Sequence, residues 1–246
     1  MSNHLIIGAG EIGTSFYNLL NDFAEVQIRD RDSDITGQFD YIHLAFPATD
    51  RDTFVRQAQE YGALYQPHTI VVHSTVAPGT IREMGEKAVH VPVRGKHPNL
   101  EKSIKTFRLY VGGNDPVRVK DVANILQQFV PDVFPLDPAQ HPPETTELLK
   151  ILDTTYLGWT VLYEKEAKRI CQRYGVDFEA VYTDANKTYN SGYSTLGDSQ
   201  FVRPVLKHFP GKIGGHCVVP NCRLLPDSYV TNLVLEKDKE FEQTNG

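Results

Sequence analysis

Two of the chain's three cysteines, Cys217 and Cys222, stand in the stretch GGHCVVPNC that spans 214–222. A thiol that follows paired glycines can serve as a nucleophile once a nearby cation or helix end converts it to the thiolate. The same stretch could hold a metal ion, or be only a turn with buried sulfurs. Spacing argues against metal: His208, His216, Cys217 and Cys222 form neither C-x-x-C nor H-x3-H, and adjacent His216 and Cys217 project differently. No metal site is expected. Cys171 and Cys222 are expected to be buried as small hydrophobes, since free cysteine is among the most buried residue types.

A second constellation lies at the other end of the chain. Gly8, Gly10 and Gly13 form G-x-G-x-x-G between the apolar run HLIIGAG and the helical pattern TSFYNLLNDF. The first glycine permits the turn, the second lets a pyrophosphate approach the backbone, and the third lets helix and strand pack. The helix start at Glu11 and Ile12 then faces the negative charge. Asp30, 20 residues after Gly10, is placed to accept hydrogen bonds from a ribose diol. That carboxylate favours NAD over NADP, with Arg29 and Arg31 flanking it. Ser74 and Thr75 close the apolar run TIVVHS, at the sheet edge where ligands of open α/β folds sit, and could touch nicotinamide or substrate or simply cap the turn TVAPGT.

These groups need elements to hold them. EVQIRD, YIHLAF, TIVVHS, HVPV and RLYVGG read as strands after the first, with TDRDTFVRQAQEYGALY and DPVRVKDVANILQQF as helices between them. Strands alternating with helices predict a Rossmann-type, doubly wound parallel sheet. Four prolines in VFPLDPAQHPPETTE mark a boundary rather than a packed element, so residues 1–142 are expected to form the NAD-binding domain and 143–246 a smaller all-helical domain. From Glu144 to Tyr174 one long helix is predicted. Leu149, Leu152, Tyr156, Trp159, Tyr163, Ala167, Ile170 and Tyr174 make one apolar seam along it, and a homodimer through this helix is expected. Past Gly175, FEAVYTDANK reads as helical, Tyr189 to Pro210 as loop-rich, and EKDKEFEQTNG as a frayed charged tail.

At this point GAGEIG, HSTVAPGT, ELLKILDTTYLGWTVLYEKEAKRICQRYGVDF and GKIGGHCVVPNCRLL, in that order, resemble the UDP-glucose/GDP-mannose dehydrogenase family of the 6-phosphogluconate dehydrogenase-like superfamily. The resemblance implies oxidation of an alcohol to an aldehyde, capture by cysteine, a second hydride transfer to a thioester, and hydrolysis. It assigns Cys217 as nucleophile, Lys150 as the helix lysine that stabilises an alkoxide, Thr75 as the strand-end threonine, and Arg203 as a substrate-side arginine. Three positions depart from the family pattern: Thr154 stands for asparagine, Asn221 for aspartate and Val93 for glutamate. The family's carboxyl-terminal nucleotide-sugar domain is also expected to be missing, a short form. Single hydride transfer, as in the hydroxyacid dehydrogenases of the wider superfamily, is therefore the favoured expectation. Its alternatives are the full four-electron reaction and a relative that binds NAD without turnover.

Composition narrows the partners. With 25 Lys and Arg against 31 Asp and Glu, a net charge of -6 and no dense basic run, nucleic acid is not an expected ligand. No apolar run reaches the ~20 residues needed to cross a bilayer. Three unevenly spaced cysteines make no disulfide framework, which points to a reducing, cytoplasmic setting. Arg94, Lys96 and His97 in VRGKHPNLEK, together with Thr154, Arg203 and Asn221, are candidate contacts for an anionic small-molecule substrate.

Overall fold

The computed structural model describes residues 2–30, 34–95, 98–215 and 217–243. It divides into two compact units, Met1–Leu152 and Asp153–Gly246. The division falls inside the long helix, whereas the expected boundary at 142/143 sits just before that helix begins.

The first unit is built on seven strands: β1 (Asn3–Ile7), β2 (Glu25–Arg29), β3 (Tyr41–Leu44), β4 (Thr69–Val72), β5 (Ala88–His90), β6 (Leu109–Gly113) and β7 (Val133–Pro135). Their spatial order is β2-β1-β3-β4-β5-β6-β7. Side chains alternate between the two faces. Leu5, Ile7, Ile42, Leu44, Ile70 and Val72 pack on one side with α2 (Arg51–Tyr65) and α3 (Thr80–Met84). Ile6, Val71, Val89 and Val111 pack on the other with α1 (Glu11–Leu20), α4 (Leu100–Thr106) and α5 (Pro116–Leu126). Helices cover both faces, so the central strands β3, β4 and β5 are buried almost throughout, whereas the edge strand β2 keeps Glu25 and Gln27 exposed. Local signals set the helix starts: Asp50 accepts from the Thr53 amide at 2.9 Å, and Asp115 from the Val117 amide at 2.8 Å with Pro116 next in line.

The sheet departs from the all-parallel expectation at β6. β1 to β5 run parallel, but β6 pairs antiparallel with β5 through Val89↔Gly113 and His90↔Gly112. An antiparallel neighbour needs no crossover, so the segment carrying α4 returns along the edge where β5 ended. The proline-rich stretch supplies β7, which extends β6 in parallel by three residues before Pro135 ends it.

The second unit holds most of α6 (Glu144–Tyr174), a 31-residue helix as the spacing predicts. Within this unit it buries Val161, Leu162 and Cys171, and Gly158 lets Val218 and Val234 approach. Leu152, Tyr156, Tyr163, Ile170 and Tyr174 of the predicted seam are instead exposed. A π-helical stretch, Glu179–Asp184, runs into α7 (Ala185–Leu196), so the predicted loop begins only at Gly197, whose φ of 81° lets Asp198 cap the Tyr193 carbonyl at 3.0 Å. α8 (Val218–Arg223) follows Cys217. The charged tail is helical through Gln243 in α9 (Tyr229–Gln243), held by buried Val234 and Phe241. Among the described residues no helix is long and apolar enough to cross a membrane.

Candidate active site

The chain reverses its direction of travel across the sheet between β1 and β3, and the glycine loop sits at that switch point. Gly8 has φ 106°, and a Cβ there would stand 2.8 Å from the Ala45 carbonyl oxygen. A Cβ on Gly13 would stand 1.9 Å from the Gly8 carbonyl oxygen, so helix and strand can close only on glycine. Gly10 is the opposite case: it is exposed, with nothing within 4 Å of its Cβ direction. It opens α1 with no side-chain cap. Beside the loop a cleft of about 690 Å³ is lined by Gly10, Glu11, Thr14, Asn18, Lys102 and Lys105.

Asp30 follows β2 directly and is exposed. Its neighbour Arg29 is engaged elsewhere: the guanidinium lies 5.5 Å from the Tyr61 ring and donates to the Tyr65 hydroxyl. Arg31 lies outside the described residues.

Around the expected Ser74 and Thr75 at the end of β4 the structure adds His90 of β5 and Thr146 and Glu147 of α6, which sequence reading missed. The Ser74 hydroxyl donates to the Phe46 carbonyl at 2.6 Å, which locks the β3 and β4 ends together; Thr75 beside it is half-buried. His90 is fully buried, with Nε2 3.2 Å from the Ser74 carbonyl and Nδ1 2.9 Å from Thr146 Oγ1. Burial pushes its pKa down to about 4, the Lys150 charge adding to the effect. The neutral ring therefore donates from Nε2 and accepts at Nδ1. Glu147, also fully buried, accepts from the Gly79 amide at 2.7 Å and the Ile81 amide at 2.8 Å. Burial raises its pKa to about 7 despite those bonds. Thr146 and Glu147 thus pin the first turns of α6, and Lys150, half-buried, follows Glu147 by three residues on the same helix face. The only advance signal was the run of polar residues at the start of an apolar helix.

In the second unit the two departures from the family pattern meet. Asn221 Nδ2 donates to Thr154 Oγ1 at 3.2 Å, and both side chains are buried. That bond joins two neutral side chains at positions where the resemblance implies an asparagine and an aspartate. Cys217 caps α8 and is half-buried, unlike Cys171 and Cys222, which are buried as their residue type predicts. Cys222 lies 3.7 Å from Thr155 Oγ1, and burial raises its thiol pKa. Arg203 stacks on Tyr189 with its guanidinium 3.5 Å from the ring centre, and Asn190 brackets its backbone at 2.8 and 3.0 Å. Back in the first unit, Val93 is buried in the core and Arg94 lies 5.7 Å from the Phe107 ring. Lys96, His97 and His216 lie outside the described residues, and no metal-ligating cluster occurs among the described residues.

No family model matches this sequence, and no curated protein matches it. Solved structures do. The UDP-D-ManNAc dehydrogenase of Pyrococcus horikoshii superposes with a TM-score of 0.74 at 13% identity, over 97% of this chain and 68% of that one. The Mycobacterium tuberculosis 3-hydroxyisobutyrate dehydrogenase, solved with L-serine, gives 0.71 at 13% identity over 100% of this chain and 95% of that one. A protein named Psf3, in complex with NADP+ and 2-OPP, gives 0.61 at 15% identity over 99% and 95%. At these identities the likeness establishes the fold: a Rossmann-type sheet followed by a helical region.

Proposed function

We propose that this chain is an NAD-dependent oxidoreductase that removes one hydride from an alcohol of a small sugar-like or anionic metabolite. The observation that carries the reading is the glycine loop: two glycines are walled in by backbone, and the third is open at a helix start on the sheet's carboxyl edge. Exposed Asp30, with Arg29 drawn onto Tyr61 and Tyr65, supports NAD over NADP, because a 2'-phosphate would meet a carboxylate and no free guanidinium from Arg29. NAD, when bound, supplies the hydride acceptor.

Lys150 stabilises the negative charge that develops on the substrate oxygen. Glu147 and Thr146 hold its helix turn, His90 fixes the Ser74 carbonyl next to Thr75, and the Thr75 hydroxyl is the group assigned to orient nicotinamide or substrate. Arg203, Arg94 and His97 are the assigned contacts for substrate anionic groups, with Thr154 and Asn221 as polar contacts. A single hydride fits the side chains better than two, because Val93 and Asn221 offer no carboxylate base for hydrolysis. The second reading, four-electron oxidation through a Cys217 thioester, is favoured by one observation: Cys217 is the cysteine that is not buried.

The exposed face of α6, with Tyr156 64% and Tyr163 60% exposed, supports a homodimer through this helix. Three unbridged cysteines support a cytoplasmic setting.

Mixing the protein with NAD and a panel of hydroxy acids, sugars and nucleotide sugars, and following reduced cofactor, tests the reading. Turnover should fall by about 10²–10⁴-fold in Lys150→Ala and persist in Cys217→Ser. Two equivalents of reduced cofactor per substrate, with the second lost in Cys217→Ser, would establish the four-electron reaction instead. Tight NAD binding without turnover on any substrate would make the chain a cofactor-binding relative.

A further inference from the structure

The second unit contains a half-open cavity of about 150 Å³ lined by Lys165, Lys168, Arg169, Gln172, His208 and Phe241, with Pro210 and Gly211 beside them. It lies fifteen or more residues along α6 from Lys150. All three charged side chains that line it other than the histidine are cations. The carboxylates nearby have cationic or amide partners of their own, with one oxygen excepted. Glu164, fully buried, faces His208 Nδ1 at 2.6 Å through Oε1, while its Oε2 has no hydrogen-bond partner among the described residues. Glu166 and Glu240 take Arg169 at 3.1 and 2.5 Å, Glu240 also takes Lys237 at 2.7 Å, and Asp238 accepts from the Gly214 amide at 2.7 Å.

Lys165 is the unusual member. Its side chain is only 3% exposed, on a helix whose other faces offered easier routes to water. Its ammonium has three protons to place, and the Phe209 carbonyl at 2.7 Å is the one hydrogen-bond acceptor it meets among the described residues. The Phe209 and Phe241 rings, with centres 4.1 and 5.7 Å away, soften the charge but accept no conventional hydrogen bond. Burial accordingly lowers its pKa, against the opposing pull of Glu164 and Asp238. A buried ammonium with protons left over, at the wall of a small cavity with two further cations, is arranged to receive an anion.

We propose that this cavity binds a phosphate-type oxyanion, as the free ion or as the terminal phosphoryl group of a metabolite, at a site separate from the glycine loop. Lys165 supplies the buried donor, Lys168 the remaining charge, and Gln172 an amide at the rim, while Arg169 lines the cavity with Glu166 and Glu240 as its partners. The volume admits one tetrahedral oxyanion and excludes a nucleotide. The inference does not rest on the oxidoreductase reading.

Calorimetric titration of the full chain with inorganic phosphate, and separately with glycerol 3-phosphate, tests it at constant ionic strength set by chloride. Both titrations are run with and without NAD, so that an anion held by the glycine loop is identified by its displacement. Saturable binding that survives NAD and weakens at least tenfold in Lys168→Ala and in Gln172→Glu is the expected result. Binding of phosphate alone would assign the free ion; binding of both probes would assign the phosphoryl group. Lys165→Met should abolish binding, and the two rim variants keep the test decisive if that variant folds poorly. Absence of saturable binding by either probe, or equal affinity in wild type and both rim variants, would overturn the proposal.

Discussion

The two units bury titratable side chains in opposite ways. In the first, three histidines from β1, β3 and the end of β4 form a hydrogen-bonded row. Ser2 Oγ meets His4 Nε2 at 2.9 Å, His4 Nδ1 meets His43 Nε2 at 2.9 Å, His43 Nδ1 meets His73 Nε2 at 3.0 Å, and His73 Nδ1 meets the Val91 carbonyl at 3.2 Å. A carbonyl can only accept, so His73 donates from Nδ1, and each preceding ring must then donate from Nδ1 too. One backbone oxygen fixes three tautomers, and charging any ring would turn an acceptor into a second donor. In the second unit the buried groups are an acid and a base of ordinarily charged type: Glu164 opposite His208, and Lys165 against aromatic faces. A neutral row specifies structure and is broken by protons; buried charges are costly to stability and persist where something uses them.

The largest consequence is acid sensitivity confined to the first unit. Burial lowers the pKa of His4 to about 4, of His73 to about 3 and of His43 well below its ordinary value, with His90 at about 4. Asp40 partly opposes the shift at His4, and His73 and His4 reinforce it at His43. Folded pKa values below the unfolded one mean that the stability is fully present above about pH 6.5 and is lost as pH falls toward 4. Four such groups remove about 5 kcal/mol per pH unit, which Glu147, raised to about 7 and so favoured by acid, offsets by about 1 kcal/mol per unit; the remainder is comparable to a marginal domain's whole stability. Amide hydrogen exchange at pH 7 and pH 5 should show protection collapsing in β1, β3 and β4 well before α9. Simultaneous loss in both units would erase the contrast.

His73→Leu comes next. It strands the His43 Nδ1 proton and the Val91 carbonyl in the core, and a loss of about 2–4 kcal/mol is expected in urea melts at pH 7.5. Lys165→Met should move stability the other way, by about 1 kcal/mol upward, since an apolar chain of similar size replaces a buried ammonium and Phe209 sits near solvent. A loss of several kcal/mol in Lys165→Met would mean that the charge serves the fold. The smallest effect is Thr154→Val, which leaves the Asn221 amide without its acceptor and should cost about 1 kcal/mol.

How far the sequence carried differs by element. The glycine loop, the strands up to β4, the Asp115–Pro116 helix start and the whole of α6 were legible, because each rests on neighbours in the chain: period, turn chemistry and caps. β7 was not, since three residues beside four prolines carry no period and gain their identity by pairing with β6. Nor was the direction of β6, which depends on whether the 91–108 segment crosses a sheet face or returns along its edge. α9 reads as a charged tail because its two anchoring apolar residues, Val234 and Phe241, are separated by a polar run.

For the candidate site the division is sharper. Sequence alone determined the residue types that can do chemistry: the three glycines, Asp30, Lys150 on an unbroken helix, and Cys217 after paired glycines. Tertiary structure decided what surrounds them. It joined Thr154 to Asn221 across 67 residues, set Glu147 on the Gly79 and Ile81 amides, aligned His4, His43 and His73 into one row, and drew Lys165 into a cavity. The physical reason is the range of the forces involved. Turns, caps and helical periodicity act over a few residues, whereas burial, which lowers the four histidines and raises Glu147, is a property of the packed chain.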